Sequence, residues 1–308
     1  MDKNLKIFGF DRYFNHLISL YKKKRFPNKI ILSGKTGIGK TTFSHHIINS
    51  IFSENEKFNY DNETKTINEL NKSYQLVKKN VHPNFFKISS NNDKNNIEID
   101  QIRRMINFIN KSSFDSNYKI VLIENIEYLN KFSSNALLKS IEEPNKDVIF
   151  ILLLNSEYNV LDTVKSRCIE YKLNLNNKYI EEIVNFYFKE NIFNNISDSF
   201  KNYYISPSML INFILFCNEE ELDYKNISID DFLKYYFNYK IYKNKNNINN
   251  DIKFYLELFF YNKIIKLKNS EIINLYNYFN KRFNLVNTFN LDKESFFIEF
   301  KSKVFNEQ

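Results

Sequence analysis

Glycine is scarce in this chain. Its 308 residues contain only four, where ordinary usage of about 7% would give roughly twenty. Three of them, Gly34, Gly37 and Gly39, fall within six positions. The stretch Gly34-Lys35-Thr36-Gly37-Ile38-Gly39-Lys40-Thr41 matches the pattern G-x-x-x-x-G-K-[ST] in full. Lys29 to Leu32 before it reads as a strand and Thr41 to Phe52 after it as a helix, which is the setting the pattern requires. Glycines let the backbone turn tightly and present N–H groups to a polyphosphate, and the helix N-terminus adds partial positive charge. Lys40 is placed for the β- and γ-phosphates, the Thr41 hydroxyl for Mg²⁺, with Thr42 beside it. Gly34, Gly37, Gly39, Lys40, Thr41 and Thr42 are therefore the candidate nucleotide contacts, and ATP with Mg²⁺ the expected ligand.

Composition narrows the remaining possibilities. Proline is as rare as glycine, Ala136 is the only alanine, and Phe and Tyr make up 17% of the chain. This is the profile of an AT-biased codon supply, against which a surviving glycine cluster stands out. A hydrophobic fraction of 43% is ample for a core. Two cysteines, Cys168 and Cys217, make neither a disulfide scaffold nor a four-ligand zinc site, so no zinc is expected. The longest apolar run, Val148 to Leu154, is far short of the ~20 residues of a membrane span, and the N-terminus carries no apolar signal region. A soluble, cytoplasmic protein without a membrane partner is the expectation. The net charge of +8 reads equally as a nucleic-acid footprint or as lysine over-supply, and the run Lys22 to Arg25 as a solvated helix end.

Along the chain, the first part alternates β-type runs with helical patterns, which predicts α/β with a parallel sheet. Strands are expected at Lys29 to Leu32, Phe85 to Ile88, Lys119 to Ile123, Val148 to Leu154 and Ile169 to Leu173. Residues 53–80 read as a polar surface excursion, and Asn91 to Asn96 as a loop. Asp100 is the expected N-cap of a helix from Gln101 to about Asn110, and Ser133 of one that Pro144 ends. Beyond Asn176 the β-type runs stop. The organisation predicted is a nucleotide-binding α/β domain over 1–172, a small helical domain over 173–219, and an aromatic-rich helical bundle over 220–308 with an Asn-rich loop at Asn244 to Asn250. The Phe and Tyr stripes of the last part read as core.

Hydrolysis is less well supported than binding. A P-loop hydrolase normally carries an Asp-Glu pair at the end of a neighbouring strand, the first acid for Mg²⁺ and the second to polarise water. After Lys119 to Ile123 this chain has Glu124-Asn125-Ile126-Glu127. Glu124 retains a metal-holding carboxylate, Asn125 is no base, and Glu127 is a weak substitute three positions on. Asn155, after Val148 to Leu154, is placed either to sense a γ-phosphate or simply to end a strand. Arg167 reads on its own as a surface salt-bridge arginine, or as a guanidinium completing a neighbouring subunit's site. Such fingers are worth ~10³–10⁵ in rate.

Two longer segments carry a resemblance. Ser134-Asn135-Ala136-Leu137-Leu138-Lys139-Ser140-Ile141-Glu142-Glu143-Pro144 resembles the N-A-L-L-K-x-L-E-E-P signature of AAA+ clamp-loader subunits, and Ser166-Arg167-Cys168 their S-R-C motif. His82-Pro83 and Asp100-Gln101-Ile102-Arg103 match habits of one branch. The resemblance covers about residues 5–173 and points to the bacterial DNA polymerase III clamp-loader family, in its delta-prime branch. The gamma/tau motor carries an intact acidic pair, a four-cysteine zinc module and a sensor arginine. Here the pair is Glu124-Asn125, segment 53–80 has no cysteine, and the arginine position of Ser206-Pro207-Ser208-Met209 is Met209. The resemblance implies an α/β P-loop AAA+ domain, a small helical lid and an all-α collar. It also implies a heteropentameric ring with gamma/tau and delta subunits that loads a sliding clamp onto primer-template DNA. It makes Arg167 a trans-acting finger, leaves the chain's own ATPase activity open, and marks Arg103 and Arg104 as candidate contacts to DNA phosphates. A gamma/tau-like motor is the alternative. A P-loop phosphotransferase would need basic lid residues and a nucleoside pocket, and nothing in 112–118 or 156–168 resembles them beyond Arg167.

Overall fold

The computed structural model describes residues 5–90, 96–113, 118–142, 147–158, 160, 162–201, 203–243, 247–289 and 291–305. Most of the Asn91–Asn96 loop, Pro144 and Asn244 to Asn246 lie outside the described residues. The chain divides into two compact units, Met1–Ile183 and Val184–Gln308.

The first unit is built on a parallel five-stranded sheet: β1 (Lys29–Gly34), β2 (Phe85–Ile88), β3 (Lys119–Ile123), β4 (Val148–Asn155) and β5 (Ile169–Lys172), in the order β2-β3-β4-β1-β5. The uninterrupted apolar runs of β3 and β4 are what a strand covered on both faces needs, and every residue of both is buried. β5 closes one edge with the mostly exposed Ile-Glu-Tyr-Lys, and charged side chains there discourage pairing with another chain. On one face Ile31, Val121, Ile123, Phe150 and Leu152 pack with Ile102, Met105 and Ile109 of α4 (Ile99–Ile109) and Leu137 and Ile141 of α5 (Lys131–Glu142). Burying each such side chain contributes about 1.5–3 kcal/mol. In the same unit α2 (Lys40–Phe52) packs on β1 and β4, and α1 (Asp11–Lys22) packs on α2.

The expected strands are present, and the helix starts are shifted. Helix α4 begins one turn-position before Asp100: the Glu98 N–H donates to Gln101 Oε1 at 2.9 Å in a capping box, and Asp100 sits in the first turn. Helix α5 is capped by Asn130, whose Oδ1 accepts from the Ser133 N–H at 2.9 Å, so Ser133 lies inside the helix. In both cases a side chain further upstream reaches the open N–H groups. The excursion 53–80 is organised by a carboxylate. Glu56 accepts from the N–H groups of Lys72 (3.0 Å) and Ser73 (3.1 Å), from Asn71 Nδ2 (2.8 Å) and from Ser73 Oγ, fixing the start of α3 (Lys72–Lys78).

Further helices follow: α6 (Asp162–Lys165) before β5, then α7 (Asn177–Phe188), within which the division between units falls, and α8 (Asp198–Lys201), α9 (Pro207–Glu219), α10 (Ile229–Asn238), α11 (Ile252–Leu267), α12 (Ser270–Thr288) and α13 (Lys293–Phe305). The aromatic stripes of the second unit are core. Phe200 stacks on Phe213 at 4.0 Å between ring centroids, and Phe216, Phe232 and Tyr255 are buried with them. A second cluster joins Phe260, Phe279, Phe296 and Phe300. No helix among the described residues is long and apolar enough to cross a membrane.

Candidate nucleotide site

Because β1 and β4 are parallel and paired in register, Gly34 lies opposite Asn155. The phosphate loop therefore leaves the sheet beside the end of β4, the crevice where ligands of open α/β sheets bind. Gly37 (φ +79°) and Gly39 (φ +96°) take backbone conformations that other residues adopt at a cost, and Gly39 is the N-cap of α2. At Gly34 the constraint is packing: a Cβ there would lie 2.7 Å from the Leu173 carbonyl oxygen.

Lys40 turns back over the loop. Its Nζ donates to the carbonyls of Gly34 (2.6 Å) and Lys35 (2.7 Å). Burial pushes this ammonium down to about 8, against the opposing pull of the Glu127 and Glu157 carboxylates. A desolvated cation held by neutral carbonyls at the N-terminus of a helix suits a phosphate, which would restore the charged form. Thr41 is exposed and Thr42 half-buried at the start of the same helix. The donor set thus fits a nucleotide triphosphate. Lys40 and the loop N–H groups would hold its phosphates, and Thr41 with a nearby carboxylate its Mg²⁺, a cation that commonly takes one or two carboxylates and keeps several waters.

Asn155 joins this cluster. It is 8% exposed, and its Nδ2 donates to Thr36 Oγ1 at 2.8 Å. Its Oδ1 accepts from the Glu157 N–H at 3.2 Å. Glu124 does not join. Its Oε2 forms an ion pair with Lys87 Nζ of β2 at 2.9 Å, on the side of β3 away from β1. Glu127 does reach the site, accepting from the Asn155 N–H at 3.3 Å. Thr36, Glu127 and Glu157 were the members that sequence reasoning undervalued. Thr36 occupies a variable position of the loop pattern, and the two glutamates reach it through turns whose course no local pattern specifies.

The remaining candidates lie apart. Arg167 stands between α6 and β5, its Nη1 donating to the Thr163 carbonyl at 2.9 Å and its Nη2 paired with Glu142 Oε1 at 2.8 Å. The two side chains are 37% and 49% exposed, so the pair is a weak restraint. Arg103 and Arg104 are exposed on α4, and Arg103 pairs with Asp100 at 2.9 Å. Among the described residues no group of three or more His, Cys, Asp or Glu side chains is placed to hold a metal ion.

Comparison with known proteins places the chain. A delta-prime subunit of DNA polymerase III from Pseudomonas aeruginosa is 30% identical over 140 residues, which is 46% of this chain and 41% of that protein. A gamma subunit of DNA polymerase III from Buchnera aphidicola subsp. Schizaphis graminum is 31% identical over 156 residues, 51% of this chain and 40% of that protein. The aligned segments thus span well under half of each relative's length. A solved structure of a DNA polymerase III gamma subunit-related protein from Thermotoga maritima is matched over 86% of this chain and 76% of its own at 16% identity, with a TM-score of 0.41. The family model described as "DNA polymerase III, delta subunit" matches residues 10–177. That match takes in the sheet, the phosphate loop and Arg167 and spans more than half of the sequence, and the chain belongs to this clamp-loader family.

Proposed function

We propose that this protein is a delta-prime-like clamp-loader subunit acting in DNA replication in the cytoplasm. It holds ATP with Mg²⁺ at its own phosphate loop and hydrolyses it poorly or not at all. It supplies Arg167 to the site of a neighbouring subunit. In this reading it sits in a heteropentameric ring with gamma/tau and delta subunits that places a sliding clamp on primer-template DNA. Residues 173–219 serve as the helical lid and 220–308 as the collar. The exposed Leu267, Phe289 and Ile298 of the later helices suit contacts with neighbouring collars. Arg103 and Arg104 are proposed to face DNA phosphates.

One observation carries this reading. The phosphate loop is complete and its lysine in place, while the position of the water-polarising acid is Asn125 and Glu124 is committed to Lys87. Such a site retains the groups that bind phosphates and lacks the base that activates water.

The test uses the chain alone and in a reconstituted assembly. Alone, it should be stabilised against unfolding by Mg-ATP, by about 2.7 kcal/mol at ~100 times the Kd, and show negligible ATPase activity. In the assembly, Arg167→Ala should lower DNA-stimulated ATPase activity. No stabilisation by millimolar Mg-ATP overturns nucleotide holding, and unchanged turnover overturns the trans-acting finger. The similarity to a gamma subunit keeps a motor as the second reading. Steady, DNA-stimulated hydrolysis by the isolated chain, abolished by Lys40→Ala, would establish it.

A further inference from the structure

Two glutamates follow β3, and they leave it in opposite directions. Glu124 continues the strand and pairs with Lys87 Nζ at 2.9 Å, with side-chain exposures of 14% for Glu124 and 24% for Lys87. In the order β2-β3-β4-β1-β5, this carboxylate is turned towards β2, away from the phosphate loop that follows β1. Withdrawing it would leave the half-buried Lys87 without this carboxylate, so the pair holds it.

The next residue reverses the chain. Asn125 has φ +55° and ψ +55°, and a single 3₁₀ turn, Ile126–Tyr128, follows. Asparagine enters this left-handed conformation more readily than other non-glycine residues, glutamate included. The buried Ile126 (1% exposed) pins the turn, and the Tyr128 N–H donates to the Asn125 carbonyl at 2.9 Å. The outcome is that Glu127 crosses to β4. Its Oε2 accepts from the Asn155 N–H at 3.3 Å and its Oε1 from Asn125 Nδ2 at 3.4 Å. Asn155 in turn is bonded to Thr36 of the loop at 2.8 Å. Both bonds to Glu127 are long, so the carboxylate is lightly held and keeps lone pairs for another partner. Its charge also acts on Lys40.

We propose that Glu127, brought across by the turn at Asn125, is the acidic residue through which this chain meets the divalent cation accompanying its nucleotide, while Glu124 is a structural acid of the sheet. Asn125, which cannot act as a water-activating base, is also the residue whose left-handed turn brings Glu127 across. This rests on the reading that the loop holds nucleotide.

The test is calorimetric titration of the full chain with ATP, once with Mg²⁺ and once with EDTA. The wild-type chain should bind more tightly with Mg²⁺. Glu127→Gln keeps an oxygen for the Asn155 N–H and removes the charge. It should lose that gain by about tenfold or more while its affinity in EDTA is retained. Glu124→Gln should keep the gain. A full Mg²⁺ gain in Glu127→Gln, or its loss in Glu124→Gln alone, overturns the assignment. A role for Glu127 that is only structural would leave the Gln variant like wild type and affect Glu127→Ala, whose melting temperature is measured alongside. Absence of ATP binding by the wild-type chain in both conditions overturns the nucleotide-holding reading, and this assignment with it.

Discussion

Asn155 donates its side-chain N–H to the Thr36 hydroxyl at 2.8 Å, tying the end of β4 to the middle of the phosphate loop across 119 residues of chain. The bond exists because Gly34 and Asn155 are paired in register on adjacent parallel strands. Asn155 and Thr36 thereby stand together beside the phosphate loop.

Replacing Asn155 with Ala removes this bond and the acceptor for the Glu157 N–H. A loss of about 1 kcal/mol of stability is expected, read from the urea midpoint. The ratio of ATP to ADP affinity, measured by calorimetry, should fall as well. An unchanged ratio would mean that the amide only ends a strand.

Lys87→Met leaves the Glu124 carboxylate without its partner at the edge of the sheet. The expected cost is about 1–3 kcal/mol. Adding Glu124→Gln should recover most of it, because the penalty lies in the unpaired charge. Denaturation of the single and double variants checks both values, and failure of the double variant to recover would show that Lys87 acts through packing instead.

Glu56 satisfies two backbone N–H groups at the start of α3 together with the Asn71 amide and the Ser73 hydroxyl. Its replacement by Ala should destabilise the first unit by about 1–3 kcal/mol. Amide hydrogen exchange should rise over residues 72–78 more than over β3 and β4. Uniform acceleration across the unit would instead indicate a global effect.

In the second unit, Lys303, Tyr278 and Arg282 surround Glu299 and hold its carboxyl down at about 2, with the bond from Lys303 the largest cause. A carboxylate whose folded value is depressed contributes stability above its unfolded value, and loses it as pH falls through the folded one. The wild-type chain should therefore lose more stability than Glu299→Gln between about pH 5 and pH 2. Unfolding midpoints at the two ends of that window measure the difference, and parallel curves would remove Glu299 from the acid response.

Much of the fold was legible because it is encoded locally. The apolar runs of β3 and β4, the helical spacing beyond Asn176 and the aromatic stripes each state burial through a short repeat, and the structure buries them. Cap positions were legible only to within a few residues. Any Asn, Asp, Ser or Glu near a helix start competes for the same open N–H groups, and the winner at α4 and α5 was Glu98 and Asn130. The pairing of Arg167 with Glu142 was not readable, since it joins the connection before β5 to the end of α5.

The sequence by itself determined that a phosphate cradle exists. Glycines at the left-handed positions, a lysine at the start of the helix and an apolar strand before them act within one short stretch of backbone, where spacing is geometry. It also showed that the acidic pair had changed. Which carboxylate faces the cradle was decided only by the tertiary structure. Glu124 and Glu127 are three residues apart and chemically identical. The strand order and the left-handed turn at Asn125 send one to Lys87 and the other to Asn155, because a side chain's partners are set by the strands on either side of it.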